Sequence, residues 1–257
     1  MSQPPLPQYT VPPRPLYSPA DALTRPPPGR TAALVDGWRP WVTYALIAAN
    51  VGMFVFELAR GASLGGPTAE QMIALGGDIG ERAKHGEPWR LLTAMFLHYG
   101  LIHIGLNMLC LYQIRFVERM LGRAEFFALY LAAGLIGGLA SLAVHPDAVS
   151  AGASGAVFGM FGAFTGVMVA RRTQVDPDRW KRTMRSLGTF FAINLVYGLA
   201  QSSIDLSAHL GGLAVGFLGG FALAKAASPT ARRPLRALLV GVLGAGIAFG
   251  GLYALPG

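Results

Sequence analysis

Seven long apolar segments constrain the fold of this chain more than any other feature of its sequence. A helix needs about 20 predominantly apolar residues to cross the hydrocarbon core of a bilayer, and each segment approaches that length. Only 13% of the residues are charged, against roughly 25% in soluble globular domains. The sequence therefore predicts an all-α, polytopic membrane helix bundle with seven transmembrane helices. The segments lie near residues 41–58, 101–117, 125–144, 153–170, 187–204, 207–227 and 235–255.

Lysine and arginine are distributed unevenly between the two sides of such a bundle. Seventeen of the 21 lie in the N-terminal stretch and in the loops that follow the second, fourth and sixth segments; the other four lie between the first and second. Short cytoplasmic loops carry the excess of positive charge, which predicts a cytoplasmic N-terminus. The net charge of +8 thus belongs to the loops, and without a nucleic-acid-binding motif it predicts no nucleic-acid partner.

Two stretches outside the apolar segments have a distinct composition. Residues 1–40 hold 11 of the 18 prolines, which predicts a disordered, proline-rich cytoplasmic tail rather than a signal peptide. Residues 60–90 are expected to form an external first loop, whose mixture of the stretch LGGPTAEQMIALGGD with charged residues indicates interfacial structure rather than a linker.

Polar side chains interrupt three of the apolar segments at a similar depth. His103 and Asn107 lie near the start of the second segment, Ser154 near the start of the fourth, and His209 near the start of the sixth. With a rise of 1.5 Å per residue, all four lie roughly 5 to 10 Å below the outer ends of their helices. Three segments far apart in sequence therefore bring their polar groups to one level.

Glycine stripes continue below two of these polar residues. Gly155 and Gly159 follow Ser154, and Gly212 and Gly216 follow His209. Small residues let helix backbones approach closely in lipid, so facing stripes would set Ser154 beside His209. A serine within hydrogen-bond reach of an imidazole is an activated nucleophile. His103, Asn107 and the Ser154 amide would then be donors to an oxyanion.

Other interpretations of the same residues remain open. A serine between glycine and alanine is commonly a packing residue in a membrane helix. In a membrane scaffold or a transporter, His103, Asn107 and His209 would line a polar path. A zinc site is not expected, because His98 and His103 are five residues apart with no carboxylate between them.

Three motifs give the chain a resemblance to a known family. They are "EPWRLLTAMFLHYGLIHIGLNML" at 87–109, "GASGAVFG" at 152–159 and "AHLGGLAVG" at 208–216. In this order, on these segments, they resemble the rhomboid intramembrane serine proteases. The resemblance covers residues 41–227 as a six-helix rhomboid protease core, and residues 228–257 resemble the linker and extra seventh helix of some members.

The resemblance implies a role for each motif residue. Ser154 would be the nucleophile and His209 the general base of a dyad, and His103, Asn107 and the Ser154 amide would form the oxyanion hole. The resemblance also implies supporting roles for glycines, for first-loop residues and for a phenylalanine that stands where some relatives have a tyrosine. These supporting residues are Gly152, Gly155, Gly212, Gly216, Trp89, Arg90, His98 and Phe158.

The resemblance also implies an activity and a location. The expected reaction is hydrolysis of a peptide bond in or next to a transmembrane segment of a membrane protein, without metal or cofactor. The expected partners are transmembrane substrates and membrane lipids, in a bacterial inner membrane with the active site towards the outer face. Members that lack the serine or the histidine are catalytically inactive, and this chain has both. Substrate identity and oligomeric state stay open.

Overall fold

Helices supply the regular secondary structure of every described segment of this protein. The structure is a computed structural model of the 257-residue chain, and it describes residues 37–200, 204–226 and 233–255. Within these ranges there is no β-strand, although isolated bridges join Ser63 to Gly66 and Asp78 to Ser150. The predicted all-α class is confirmed for these residues. The predicted tail, 1–40, lies outside them except for its last four residues.

The helices follow the apolar segments, with short helices in the first loop. They are α1 Trp41–Ala59, α2 Ala69–Leu75, α3 Gly80–Lys84, α4 Arg90–Thr93, α5 Leu101–Gln113, α6 Phe116–Leu121, α7 Arg123–Val144, α8 Ser154–Ala170, α9 Pro177–Ala200, α10 Leu206–Lys225 and α11 Arg233–Ala254. A 3-10 turn, Ala94–Phe96, extends α4, and another, Arg172–Gln174, precedes α9.

Several of the described helices are suited to a bilayer. Helices α1, α7, α10 and α11 are long and apolar enough to cross it, and a bent pair, Arg90–Phe96 with Leu101–Leu121, makes a fifth candidate. The two halves of the pair meet at 91°. Helix α8 is apolar but has only 17 residues. The protein is therefore an integral membrane protein.

Helix α9 begins earlier than the predicted start at residue 187. Pro177 stands at its first position, where its missing N–H costs nothing and its fixed φ suits a helix. Asp176 accepts a hydrogen bond from the Arg179 amide at 2.9 Å. The charged half that follows is a good helix former but carries no apolar run, so hydropathy detects only the half from Leu187 onwards.

The glycine stripes of α8 and α10 lie directly against each other. A Cβ on Gly212 would fall on the carbonyl oxygen of Gly155, and one on Gly216 on that of Gly159. The two backbones are thus in contact with no side chain between them. Helix α7 packs against α8, α10 and α11, which places it at the centre of the bundle.

The first loop is fixed to the helices by a buried arginine. Arg90 is 3% exposed, and its Nη1 donates to the carbonyls of Ile73 at 2.7 Å and Gly77 at 2.8 Å. Its guanidinium also lies 4.9 Å from the centre of the Trp89 ring. Asp78 exchanges backbone hydrogen bonds with Ser150, at 2.8 and 2.9 Å, which joins the loop to the segment before Ser154.

Candidate active site

Ser154 is the first residue of α8 and lies half-buried at its N-terminal end. The turn before it depends on Gly152, whose φ is +131° and whose amide donates to the Ala94 carbonyl at 2.8 Å. A Cβ at Gly152 would lie only 2.7 Å from Cε1 of His103 and 3.8 Å from Oγ of Ser154. Both the backbone conformation and the space therefore require glycine. The His103 ring and the Ser154 hydroxyl flank it.

His103 has an orientation set by a backbone donor. The Tyr99 amide donates to its Nδ1 at 3.3 Å, so Nδ1 is unprotonated and the neutral ring carries its proton on Nε2. The Nε2 edge lies towards Gly152. Asn107, one turn further along α5, is 6% exposed, and its Nδ2 donates to the His103 carbonyl at 3.1 Å. The second N–H of that amide group remains for another acceptor.

Tyr99 is a site residue that the sequence analysis missed. Its ring stacks on His103 with centroids 6.4 Å apart, and its hydroxyl donates to the Val149 carbonyl at 2.8 Å. It therefore joins the start of α5 to the segment that leads to Gly152 and Ser154. A tyrosine beside a histidine was the available signal, but only the fold brings residue 149 within reach.

His209 lies one turn into α10, with its ring stacked on Phe158. The two ring centroids are 4.2 Å apart and the planes differ by 11°. Its Nδ1 is buried and has no hydrogen-bond partner among the described residues. Nor does any hydrogen bond join its ring to the Ser154 hydroxyl in the described part of the chain. Catalytic hydrogen bonds are often long without substrate and tighten only in the complex.

His98 lies behind His103, on the side towards α1. It is fully buried, its amide donates to Oε1 of Glu57 at 3.0 Å, and its ring lies edge-on to His103 with centroids 5.2 Å apart. Its Nδ1 lies 3.2 Å from the Phe96 carbonyl. Glu57 was not expected here, because an acidic residue at the end of an apolar segment is usually exposed.

A small cavity of about 30 Å³ adjoins Ser154. This volume suits about one water molecule. Its lining includes Ser154, Gly152, Ser150, Asp78 and Asp205. The two aspartates come from the first loop and from the residue that caps α10, so the cavity lies where three parts of the chain meet.

The pKa values of the two aspartates at this cavity are shifted in opposite directions. Burial raises the pKa of Asp78 to about 7, Arg90 opposing the rise and Asp205 adding to it. Burial also favours a raised pKa for Asp205, but hydrogen bonds from Ser141, Ser207, the Ala208 amide and Ser150 outweigh it and hold this pKa below its usual range. Asp205 is thus ionised at neutral pH, whereas the burial of Asp78 favours its protonated form.

The α10 cap could have been predicted, but the Asp78 position could not. Asp205 stands three residues before Ala208 and accepts a hydrogen bond from its amide at 3.0 Å, and that spacing is an ordinary N-cap pattern. Asp78 belongs to a glycine-rich loop, which gives no sign of burial. Among the described residues, no three His, Cys, Asp or Glu side chains cluster as metal ligands would.

Comparison with known proteins places these residues in a family context. The rhomboid domain family model matches residues 85–226. The chain is 38% identical over 229 residues to the rhomboid protease GluP of Bacillus subtilis, covering 87% of this chain and 43% of that protein. It is 32% identical over 221 residues to RHOMBOID-like protein 4 of Arabidopsis thaliana, covering 76% of this chain and 55% of that protein.

A third relative is covered more fully. The mitochondrial RHOMBOID-like protein 6 of Arabidopsis thaliana is 30% identical over 220 residues, which are 72% of this chain and 69% of that protein. The chain spans about half the length of the first two relatives. The matched region contains Ser154, His209, His103 and Asn107.

Proposed function

Because this chain belongs to the rhomboid family, we propose that it is an intramembrane serine endopeptidase with Ser154 and His209 as its catalytic dyad. The observation that carries the proposal is the backbone contact between α8 and α10 at Gly155 and Gly212. It supports the dyad because it brings together the first turns of both helices, one bearing the serine and the other the histidine. A larger residue at Gly212 would hold them apart.

In the first step, His209 accepts the hydroxyl proton of Ser154 while Oγ attacks the carbonyl carbon of the substrate. The Phe158 ring, stacked on the imidazole, restricts the orientation of the His209 ring. The tetrahedral intermediate then collapses to an acyl-enzyme as His209 gives the proton to the leaving amine. Water attacks the acyl-enzyme with the same histidine as base.

The oxyanion would receive hydrogen bonds from three groups. They are Nε2–H of His103, the second amide N–H of Asn107 and the backbone N–H of Ser154. The tautomer that the Tyr99 amide selects makes His103 a donor on the required side. The first N–H groups of a helix have no acceptor within it, so the amide of Ser154 at the start of α8 is available.

The remaining site residues would hold this arrangement in place. Gly152 allows the turn beside His103, and Gly155, Gly212 and Gly216 allow the close helix crossing. Arg90, supported on Trp89, fixes the first loop, and His98 packs behind His103. No metal ion or cofactor takes part in the proposed reaction.

The proposed topology has seven transmembrane helices and a cytoplasmic N-terminus. Residues 1–40 would be the cytoplasmic tail, 41–227 the protease core and 228–257 the linker and seventh helix. The distribution of lysine and arginine supports this orientation. The active site would then lie towards the outer face of a bacterial inner membrane.

The proposed substrates are membrane proteins whose transmembrane segment unwinds near that face. A helix in lipid has every backbone group hydrogen-bonded, so its carbonyls are shielded until it opens locally. Glycine weakens a helix by roughly 0.5–1 kcal/mol relative to alanine, which favours cleavage near such residues.

The decisive experiment compares the wild type with Ser154→Ala and Ser186→Ala in detergent, on a model transmembrane substrate. Ser186 is exposed on α9 and serves as the control. We expect the wild type and Ser186→Ala to cleave and Ser154→Ala to be inactive. A fluorophosphonate should label Ser154 in the wild type but not in His209→Ala. Cleavage by Ser154→Ala, or labelling without His209, would overturn the proposed dyad.

A further inference from the structure

A second and larger cavity lies at the opposite end of the bundle from Ser154. Its volume is about 200 Å³, and the 17 residues of α8 separate it from the serine by about 25 Å. It is enclosed by the ends of α6, α8 and α10 and the beginnings of α7 and α11. The apolar part of its lining includes Met120, Leu121, Val167 and Leu223.

Three arginines and one carboxylate form the polar part of this cavity. Arg171, Arg233, Arg236 and Glu125 all line it. Glu125 is 2% exposed, its Oε1 lies 2.6 Å from Nη2 of Arg236, and its Oε2 lies 3.9 Å from Nε of Arg233. One carboxylate cannot neutralise three guanidinium groups, so the cavity has a net positive charge.

Two hydrogen-bond donors at the cavity still need an acceptor. The Nε–H groups of Arg233 and Arg236 are buried, and neither has a hydrogen-bond partner in the described part of the chain. Burying a donor without an acceptor is costly, most of all for a charged group. These donors therefore call for an acceptor beyond the described residues, which a bound anion would supply.

The start of α7, which carries Glu125 in its first turn, lies at the same place. Gly122 is its N-cap and supplies no side-chain acceptor to the first turn. The Arg233 guanidinium lies over this glycine, since a Cβ there would be 2.8 Å from Nη1. A helix N-terminus favours an anion, and here two arginines accompany it.

From this geometry we propose that the cavity binds the phosphate group of an anionic phospholipid. The arginines would hold the phosphodiester oxygens, and the apolar wall would contact the glycerol and the first part of the acyl chains. The cavity lies where membrane-crossing helices end, which is the level of lipid headgroups. Basic pockets between transmembrane helices bind such headgroups, whereas free phosphate gains nothing from an apolar wall. The proposal does not depend on proteolysis.

The test measures lipid binding to the delipidated full-length chain in detergent by native mass spectrometry. Phosphatidylglycerol is titrated against phosphatidylcholine with identical acyl chains. We expect one phosphatidylglycerol to bind preferentially and to raise the thermal unfolding temperature. Equal binding of the two lipids would overturn the proposal. If inorganic phosphate at millimolar concentration, with chloride as the control, displaces the lipid, the ligand is the free anion and the lipid assignment is wrong.

Two variants separate this site from general attraction to basic loops. Arg171→Gln and Arg233→Gln each remove one cavity arginine but keep the close pair of Arg236 with Glu125. Each should weaken phosphatidylglycerol binding about fivefold. Arg182→Gln, on the exposed surface of α9, is the matched control and should bind as the wild type does. Unchanged binding in both cavity variants, with folding intact, would overturn the proposal.

Discussion

At the residue scale, Asp78 is the polar group whose environment differs most from what its sequence context indicates. It is 1% exposed, and neither carboxyl oxygen has a hydrogen-bond partner among the described residues. Asp205 and the Arg90 guanidinium act on it from neighbouring parts of the chain with opposite effects. This carboxyl lines the cavity beside Ser154, so its protonation state affects the stability of the site.

The Asp78 environment predicts a pH dependence of stability. Its pKa rises from 3.8 to about 7 on folding, so the folded state binds this proton more tightly and stability falls as pH increases between those values. Asp78→Asn abolishes that loss. The unfolding temperature of Asp78→Asn should exceed that of the wild type by an amount that grows between pH 4 and 7 and then levels off. The corresponding difference in unfolding free energy grows by at most about 1.4 kcal/mol per pH unit.

The measurement is thermal unfolding in detergent from pH 4 to pH 8, with Asp147→Asn in an exposed turn as the control. At pH 4 the Asp78→Asn variant and the wild type should unfold at nearly the same temperature. A constant difference across the whole range would mean that Asp78 does not titrate on unfolding in this window.

At the element scale, the contact between α8 and α10 predicts unequal effects of the same substitution. A Cβ at Gly212 falls on the Gly155 carbonyl, whereas at Gly246 of α11 no heavy atom lies within 4 Å. Gly212→Ala should therefore lower the free energy of unfolding by about 1–3 kcal/mol and remove most of the proteolytic activity. Gly246→Ala should leave the free energy of unfolding unchanged or raise it by about 0.5–1 kcal/mol. Thermal unfolding and substrate cleavage measure both, and equal behaviour would contradict the crossing argument.

How well the sequence predicted each element depended on whether local or long-range contacts decide it. Apolar runs and glycine spacing are local, so α7, α8 and α10 match the predicted segments closely. The 91° bend before α5 depends on Gly100, whose φ is +92° and where a Cβ would strike the Gly65 carbonyl. That contact crosses 35 residues, and the sequence predicted only that the second apolar segment begins near residue 101.

The same distinction applies to the candidate site. Ser154, His209, His103 and Asn107 could be singled out because polar groups in apolar segments stand out. The residues that orient the site or set its charge could not be singled out in this way. Glu57, Tyr99 and Asp78 reach the site only through contacts that span 41 to 72 residues of sequence. Tyr99 and Asp78 stand outside the apolar segments and resemble ordinary loop residues, and Glu57 stands at the end of a segment, where an acidic residue is usually exposed.

At the scale of the whole molecule, the two ends of the bundle differ in chemistry. The end with Ser154 carries the imidazoles and the Asp78 and Asp205 carboxyls around a small cavity. The other end carries arginines around a larger one. This polarity matches the uneven distribution of lysine and arginine, on which the proposed cytoplasmic location of the basic end depends.

The proposed orientation predicts which loops a membrane-impermeant reagent can reach. The chain has a single cysteine, Cys110, so Cys110→Ser gives a background for Asp147→Cys and Gln174→Cys, both at exposed positions. Asp147 lies at the Ser154 end and Gln174 at the other end, beside Arg171 and Arg172. In intact cells an impermeant maleimide should label only the cysteine at 147, and the one at 174 should react after permeabilisation. The reverse pattern would place the N-terminus outside and the candidate active site at the cytoplasmic face.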